Sequence, residues 1–389
     1  MHIALSGWFW DRPDTGSGQY IRCLLHALRD LATDAHFTLL LPPHIRQVEE
    51  LPPDVSLLRV ATPIGGQLGK VWFEQVSVPR AARRVAADLL HVPYWAPPLS
   101  APVPVVSTIH DVIALAIPAY RGGPLARLYT GLVVAGAQAA AHILTDSQAS
   151  REEIINCLRI APEKVSVAWL ATDRRFHPRI DNEHDAAVAE KYSLPERFVL
   201  YLGGYDIRKN VHTLLLAYTY VVEAMADEVP LVLAGRPPSA WGTTRFPDLP
   251  SYIEQLGIGD YVRWLGEIDE RDKPSLYRLA AVVAFPSRYE GFGLPPLEAM
   301  ACGTPLVACE ASSIPEIVGD AGFLVPPDDA RGMAGAILSI LVQPELAGQL
   351  RNLGLSRAMQ FSWRNTAEAT LAVYRQVLER TGHQRGAQP

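Results

Sequence analysis

Two glutamates, Glu290 and Glu298, flank a stretch rich in glycine and proline. The apolar run before them, residues 280–285, predicts a buried strand. Pro296 can be the first residue of a helix and Gly303 can end it, so we expect Glu290 on a loop and Glu298 in the first turn of the helix. A strand, a glycine loop and a helix N-terminus form an anion-binding arrangement. Carboxylates beside such a site suit a partner rich in hydroxyl donors, such as a sugar or a ribose.

A second candidate group combines glycines with two cations. Gly203 and Gly204 follow an apolar strand, and Arg208 and Lys209 come just before the predicted start of a helix. Arginine offers a forked hydrogen-bond donor and lysine a point charge, and both suit phosphate. This segment is therefore either a diphosphate-binding loop or a solvated loop with ordinary surface charges.

A glycine loop near the N-terminus is a weaker candidate. Gly16 and Gly18 stand between the first strand and a helix, where glycines let backbone amides approach a phosphate closely. Ile21 occupies the place of the third glycine of a dinucleotide-binding fingerprint. A phosphate-proximal loop and a bare turn both remain open.

His110 follows an apolar strand that ends at Ile109. The carboxyl end of a buried parallel strand is where ligands bind in open sheets, so this histidine is a candidate ligand contact. A purely structural histidine is the alternative. Asp111 can orient the ring or form the following turn, and we expect the turn role.

These candidates need a scaffold of strands and helices to bring them together. Apolar strand patterns alternate with helical patterns, and a polar segment, residues 173–190, separates two halves. Such repeats predict parallel sheets covered by helices on both faces. We expect an α/β protein with two doubly wound, Rossmann-like domains, residues 1–175 and 190–362, facing each other across a cleft. Paired carboxylates also suit a glycoside hydrolase, but this architecture favours transfer from an activated sugar.

Composition narrows the classes of function. The formal net charge of −6 argues against general nucleic-acid binding. The four cysteines form no Cys-x-x-Cys pair, which indicates buried, reduced thiols and argues against a zinc site. No stretch is long and apolar enough to span a membrane, and the N-terminus lacks a signal-peptide pattern, so we expect a cytoplasmic protein.

Three helical segments carry their own expectations. Residues 125–141 are apolar and rich in small residues, which predicts a buried helix or, alternatively, a helix resting on a membrane surface. Residues 71–87 predict a helix broken or restarted at Pro79. The polar residues 379–389 predict a frayed end.

The segment from Leu265 to Pro326 resembles the C-terminal domain of the retaining glycosyltransferases of family GT4, which have the GT-B fold. The resemblance is carried by the Glu290–Glu298 segment and by further motifs: Leu265-Gly266-Glu267, Leu276-Tyr277, Phe285-Pro286-Ser287, Ala299-Met300-Ala301-Cys302-Gly303-Thr304-Pro305 and Ile314-Pro315-Glu316-Ile317-Val318-Gly319. Outside this segment the resemblance rests on the phosphate-loop pattern and on shorter N-terminal motifs: Leu202-Gly203-Gly204 with Arg208-Lys209-Asn210, Gly16-Ser17-Gly18-Gln19-Tyr20, His110-Asp111 and Asp146-Ser147.

The resemblance implies roles for the charged candidates. Glu298 would accept hydrogen bonds from the ribose hydroxyls of the nucleotide, and Glu290 would contact hydroxyls of the donor sugar. Arg208 and Lys209 would hold the departing diphosphate. His110 would touch the donor sugar from the opposite domain. No metal is implied, because cations and helix ends supply its electrostatic effect.

Backbone groups complete the implied donor site. Gly18 and the amides of Phe292, Gly293 and Leu294 would approach the phosphates. One departure from the family concerns Gly204, because many members carry an arginine directly after the first glycine of the phosphate loop. We expect Arg208 to take over that contact.

The form of the motifs resembles bacterial mannosyltransferases of surface-polysaccharide assembly. The resemblance implies a hexose transferred from a nucleotide-sugar donor, with GDP-mannose preferred and a UDP-sugar as the alternative, and no separate cofactor. The acceptor would be a glycan or a lipid-linked sugar, with peripheral contact at the inner face of the membrane. The C-terminal helix, about residues 363–380, would pack back on the first domain. A non-catalytic nucleotide-sugar-binding protein is the alternative from another class.

Overall fold

The structure is a computed structural model that describes residues 1–13, 15–225 and 229–386. The chain forms two compact units. The first unit combines Met1–Leu170 with the C-terminal segment that starts at Ser362, and the second unit is Ala171–Phe361.

The first unit contains a seven-stranded parallel sheet in the order β3-β2-β1-β4-β5-β6-β7. Its strands are β1 (His2–Ser6), β2 (His36–Leu41), β3 (Val55–Arg59), β4 (Leu89–Val92), β5 (Val105–Thr108), β6 (His142–Thr145) and β7 (Val165–Val167). The central strands are buried except for His2 at the start of β1, as expected of a parallel sheet covered on both faces. The strand order reverses between β1 and β4, which are hydrogen-bonded neighbours.

The second unit contains a six-stranded parallel sheet in the order β10-β9-β8-β11-β12-β13. Its strands are β8 (Val199–Leu202), β9 (Leu231–Ala234), β10 (Val262–Gly266), β11 (Val282–Phe285), β12 (Leu306–Cys309) and β13 (Phe323–Val325). Every residue of β8, β9, β11 and β12 is buried. Two parallel-sheet α/β units confirm the predicted fold class.

Helices cover both sheets. The first unit begins with α1 (Gly16–Leu31), α2 (Gly66–Trp72), α3 (Val78–Arg84), α4 (Ile113–Ala116), α5 (Pro124–Ala139) and α6 (Gln148–Leu158). The second unit carries α7 (Asn182–Lys191), α8 (Val211–Met225), α9 (Leu249–Leu256), α10 (Lys273–Leu279), α11 (Leu294–Ala301), α12 (Ile314–Val318), α13 (Ala330–Val342) and α14 (Pro344–Ala358). The last helix, α15 (Trp363–Gly386), packs on α1 in the first unit.

One prediction about helix boundaries was confirmed and one was wrong. A new α-helix, α3, starts at Val78 with Pro79 in its first turn, so the predicted restart is observed, and a π-helical turn at Phe73–Ser77 connects it to α2 without a break in the chain's helical path. The C-terminal end is helical as far as Gly386 rather than frayed from residue 379, and residues 387–389 lie outside the described part.

The surface corrects two further expectations. Helix α5 is not simply buried, because Leu125 and Leu128 are 83% and 72% exposed near its start. The four cysteines are free thiols, but Cys157 is exposed and Cys23 is only partly buried.

Among the described residues no single helix meets the length and apolarity needed to cross a membrane. One pair of helices, Ala330–Val342 with Pro344–Gly382, meets both requirements jointly, but the pair is bent by 104°.

Strand order determines where chemistry can be placed in the second unit. Strands β8 and β11 are hydrogen-bonded neighbours, yet they come from distant parts of the chain, and the order reverses at this point. Ligands of open α/β sheets bind beyond the carboxyl ends of the strands at such a reversal. The loops after β8 and β11 are therefore the two segments that this fold brings together for a site.

Candidate active site

The loop after β11 carries Glu290, as predicted. It runs from Pro286 to Gly293, whose φ of 120° favours glycine and whose added Cβ would lie 2.9 Å from Ile314 Cδ1. Helix α11 starts at Leu294, two residues earlier than expected, because prolines are accepted throughout a first turn that lacks hydrogen-bonded N–H groups. Glu298 consequently lies in the second turn, which corrects its predicted place in the first.

Glu290 is the centre of a charged cluster. Lys209 Nζ lies 2.6 Å from its Oε1, and Arg208 Nη1 lies 2.8 Å from its Oε2. Ser287 Oγ donates a third hydrogen bond to Oε1 at 2.5 Å. The structure therefore brings the predicted sugar-contacting carboxylate and the two predicted phosphate-binding cations into direct contact.

The backbone holds these two loops together. A short turn at Ile207–Lys209 ends at Asn210, which adopts a left-handed conformation that asparagine tolerates better than most residues. Its Nδ2 donates to the carbonyl oxygens of Pro286, at 3.1 Å, and Pro327, at 2.9 Å. The N–H of Arg288 donates to the carbonyl of Arg208 at 2.8 Å. The cations and the carboxylate are thus fixed by main-chain geometry as well as by charge.

Electrostatics keep Glu290 ionised. Burial alone would raise the pKa of this carboxyl, but the charges of Lys209 and Arg208 and the hydrogen bonds from Lys209 and Ser287 outweigh it, so the pKa lies below its ordinary value. Asp206 Oδ1 lies 3.2 Å from Arg208 Nε and adds a second negative charge to the cluster. A carboxyl with a lowered pKa is a poor general base at neutral pH and a good acceptor for hydroxyl groups.

Glu298 has a different environment. Its Oε2 accepts a hydrogen bond from the Tyr277 hydroxyl at 2.9 Å, and the residue is 9% exposed. Burial raises the pKa of this carboxyl, and the charge of Lys273 with the Tyr277 bond offsets burial only in part. Among the described residues Oε1 has no hydrogen-bond donor, which leaves it for a ligand hydroxyl.

Phosphate contacts were predicted for backbone groups of the two loops. Of the residues described, none accepts a hydrogen bond from the amides of Phe292, Gly293 and Leu294. A Cβ at Gly204 would meet Asp206 Oδ2 at 3.4 Å, so glycine is not required there by packing.

In the first unit His110 is paired with Asp146, for which the sequence had indicated no role. His110 Nδ1 lies 2.7 Å from Asp146 Oδ2, and the edge of the ring packs against Tyr20, with centroids 4.9 Å apart. Burial lowers the pKa of His110, but the charge and hydrogen bond of Asp146 outweigh it, and the pKa lies above its ordinary value. Nε2 is buried and makes no hydrogen bond of normal geometry within the described chain, although the backbone carbonyl of Pro93 also raises the pKa. Asp111 takes the turn role, because its Oδ1 accepts from the N–H of Ile113 at 3.0 Å.

Gly18 has a packing reason to be glycine. A Cβ at this position would lie 1.9 Å from the carbonyl oxygen of Arg12 and 2.9 Å from that of Phe9. The residue therefore lets the preceding loop close over the start of α1, and this accounts for the glycine without any phosphate.

Four site residues were missed as functional candidates: Asp146, Asp206, Ser287 and Tyr277. The position of Asp146 offered a signal, because it directly follows β6 and β6 pairs with β5, the strand that precedes His110. Ser287 lies two residues beyond the end of β11. In the part of the chain that the structure describes, no group of three or more His, Cys, Asp or Glu residues is placed to hold a metal ion.

Comparisons with known proteins match this architecture. Residues 186–356 match the family described as Glycosyl transferases group 1, and residues 15–175 match Glycosyltransferase Family 4. The O-antigen chain mannosyltransferase B of Escherichia coli is 34% identical to this chain over 271 residues, which are 69% of this chain and 70% of that protein.

Two solved structures show the shared fold. Sucrose-phosphate synthase from Thermosynechococcus elongatus superposes with a TM-score of 0.73 at 23% identity, covering 98% of this chain and all of that one. The Anabaena protein Alr3699/HepE, solved in complex with UDP and glucose, gives a TM-score of 0.71 at 19% identity, covering 97% and 100%. The expected GT-B fold and family are confirmed: this chain belongs to Family 4 of the group 1 glycosyltransferases.

Proposed function

We propose that this glycosyltransferase moves mannose from GDP-mannose to a glycan or lipid-linked acceptor in polysaccharide assembly, with retention of the anomeric configuration. The ionised Glu290, held between Arg208 and Lys209 beyond the ends of β8 and β11, is the observation that carries the proposal. The likeness to an O-antigen chain mannosyltransferase supports mannose as the sugar.

Leaving-group stabilisation is the main catalytic effect. The bond between the sugar carbon and the diphosphate oxygen breaks, a bond to the acceptor hydroxyl oxygen forms, and the departing diphosphate takes the acceptor proton. Arg208 and Lys209 bind the negative charge that develops on the diphosphate. A cation about 4 Å from that charge contributes about 4 kcal/mol at an effective dielectric constant of 20. Both cations must then share their contacts between Glu290 and the diphosphate.

The remaining site residues bind and orient the donor. Glu290 accepts hydrogen bonds from hydroxyls of the donor sugar, and Glu298 accepts them from the ribose through its free oxygen. His110 contributes Nε2 as a sugar contact, with Asp146 holding the ring. Gly204 and the amides of Phe292, Gly293 and Leu294 approach the phosphates.

A donor panel tests the proposal. GDP-mannose, UDP-glucose and a dTDP-sugar are each supplied to the purified chain, and nucleotide release is measured with and without candidate acceptors. We expect the highest kcat/KM with GDP-mannose, and a product whose anomeric configuration, read by NMR, equals that of the donor. An inverted product would overturn retention. Higher kcat/KM with UDP-glucose would overturn the donor, and nucleotide binding without transfer or hydrolysis would identify a binding protein.

We also infer that the enzyme works in the cytoplasm at the inner face of the membrane. The exposed side chains of Leu125 and Leu128 at the start of α5 support this inference, because Arg121 and Arg127 lie beside them and suit anionic lipid headgroups.

A further inference from the structure

A pocket of about 720 Å³ opens in the first unit. None of the proposed donor contacts is among its lining residues, although the loop that packs on Gly18 forms part of its wall. It lies beyond the carboxyl ends of β1, β2 and β3. Its walls include the aromatic side chains of Trp8 and Phe9, the imidazole of His44, and the cations Arg12 and Lys70. Among the described residues the lining includes no Asp or Glu, although the whole chain is acidic.

The two cations converge on one aromatic ring. The guanidinium carbon of Arg12 lies 5.8 Å from the centroid of the Phe9 ring, and Lys70 Nζ lies 5.6 Å from it. Arg12 makes no ion pair with a described residue. Lys70 Nζ is 3.5 Å from Oε1 of Glu74, which is fully buried and also accepts a hydrogen bond from the Tyr129 hydroxyl at 2.8 Å. Lys70 therefore lines the pocket with its ammonium group held near Glu74 and the rings of Phe9 and Tyr129.

The walls are held in place before any ligand arrives. Trp8 packs between His44 and Phe73, with ring centroids 5.1 Å and 5.0 Å away. The loop that carries Phe9 and Arg12 closes over Gly18, where any side chain would collide with its carbonyl groups. Preorganised aromatic and cationic groups lower the entropy that a ligand must lose on binding.

We propose that this pocket binds the phosphate ester of the acceptor, with the attached sugar or lipid against the aromatic side chains of Trp8 and Phe9. The proposal rests on the glycosyl transfer proposed above and names the chemical class of its acceptor. An arginine and a lysine without a neighbouring acid in the lining suit a dianion, to which arginine offers two parallel hydrogen bonds. Aromatic faces beside a charged group suit a ligand with one anionic and one less polar part.

Direct binding tests the proposal on the full chain. The protein is first saturated with GDP, so that phosphate probes do not bind at Arg208 and Lys209. Mannose 1-phosphate, geranyl diphosphate and uncharged methyl α-mannoside are then titrated by calorimetry. We expect at least one phosphate ester to bind at least tenfold more tightly than methyl α-mannoside. The tighter of the two phosphate esters distinguishes a free sugar phosphate from a lipid-linked one.

Matched substitutions assign the binding to the pocket. Arg12→Gln and Lys70→Met should each weaken the phosphate probe about tenfold or more, because each removes a charge-assisted hydrogen bond. Arg80→Gln, an exposed arginine on α3, should bind like wild type. GDP affinity serves as the folding control for all three variants.

Three outcomes would overturn the proposal: neither phosphate ester binds the GDP-saturated protein, methyl α-mannoside binds as tightly as both, or Arg12→Gln and Lys70→Met bind like wild type. The measurement needs no turnover. A chain that passes this test but transfers no sugar would contradict the proposed function instead.

Discussion

Lys209 Nζ lies 2.6 Å from Oε1 of Glu290, although the two residues are 81 positions apart in the chain. They meet because β8 and β11 are neighbours in the sheet and their following loops share one edge. The pair joins a loop proposed to bind phosphate to a loop proposed to bind sugar. A change in the charge of either residue therefore acts directly on the other residue of the pair.

Lys209→Ala is expected to lower kcat for transfer from GDP-mannose by about 10²–10³-fold, because a preorganised cation for the leaving diphosphate is lost. The measurement is steady-state GDP release, with circular dichroism to confirm folding. Lys164→Ala, in the first unit and outside the site, is the control and should keep wild-type turnover. Near-normal turnover of Lys209→Ala would show that the diphosphate lies elsewhere.

Glu290→Gln should separate binding from turnover. The amide keeps the size of the side chain but no longer neutralises Arg208 and Lys209, so GDP should bind several-fold more tightly. At the same time kcat should fall by about 10²-fold, because the charged acceptor for sugar hydroxyls is gone. Calorimetry with GDP and steady-state kinetics measure the two effects. Glu254→Gln, exposed on α9, is the control. If Glu290→Gln lost GDP affinity together with kcat, the prediction of tighter GDP binding with slower turnover would be contradicted.

Asp146→Asn should lower the pKa of His110, because the charge that holds it above its ordinary value is removed. In wild type the protonated ring contributes stability that is fully present below pH 6.5, the pKa of an unperturbed histidine, and is lost as pH rises through the raised pKa. In the variant the folded pKa is closer to the unfolded value, so this contribution to stability is smaller and its loss is complete at lower pH. NMR titration of the imidazole measures both pKa values, and equal values would show that Asp146 does not set the charge of His110.

Glu74 predicts a loss of stability with rising pH in a lower range than that of His110. Burial raises the pKa of this carboxyl to about 7, although Lys70 and Tyr129 partly offset the effect. Above its unfolded pKa of 4.5 the carboxyl ionises more readily in the unfolded chain than in the fold, so the folded protein loses stability as pH rises from 4.5 towards 7. A difference of that size corresponds to roughly 3 kcal/mol by pH 8.

Glu74→Gln removes the pH-dependent contribution of this carboxyl to the free energy of unfolding. We therefore expect the free energy of unfolding to fall less between pH 5 and pH 8 in Glu74→Gln than in wild type, as measured by urea denaturation at both pH values. The difference between the two pH values cancels any change in packing that the substitution causes at all pH. Identical pH dependence of the two proteins would show that Glu74 is ionised in the fold as easily as in the unfolded chain.

The double variant Leu125→Gln, Leu128→Gln should bind vesicles of anionic phospholipid about tenfold or more weakly than wild type, because two exposed leucines can no longer insert among the acyl chains. Co-sedimentation measures the bound fraction. Leu353→Gln with Met359→Gln removes two exposed apolar side chains of the second unit and is the matched control. Failure of wild type to sediment with the vesicles would exclude this mode of membrane contact.

Helices and strands that are marked by one clear local pattern could be predicted from the sequence. Contacts between loops that are distant in the chain could not. The start of helix α8 after Lys209 and the end of strand β11 at Phe285 were predicted where they are observed, because the glycine loop and the apolar run mark them clearly. The start of α11 was placed two residues late, since either of two consecutive prolines can occupy a first turn. Local patterns therefore located the elements but not always their first residues.

Partners across strands were the part that sequence patterns could not supply. Glu290 and Lys209 were both identified, but their ion pair depends on β8 lying beside β11, and strand order is not encoded in local periodicity. The same holds for Asp146, which meets His110 because β6 pairs with β5. The residues of the candidate site could therefore be identified from the sequence, but the contacts between them depend on the order of the strands in the sheets.

Helix α15 has a consequence for how the chain must fold. The Tyr374 hydroxyl lies 2.6 Å from Nδ1 of His91, and both residues are completely buried in the first unit. A ribosome synthesises the rest of that unit first, then all of the second, and only then the helix that covers His91. The N-terminal unit therefore matures after the C-terminal one, and a nascent chain or a truncated product that ends before Ser362 exposes a core face that only the last helix can close.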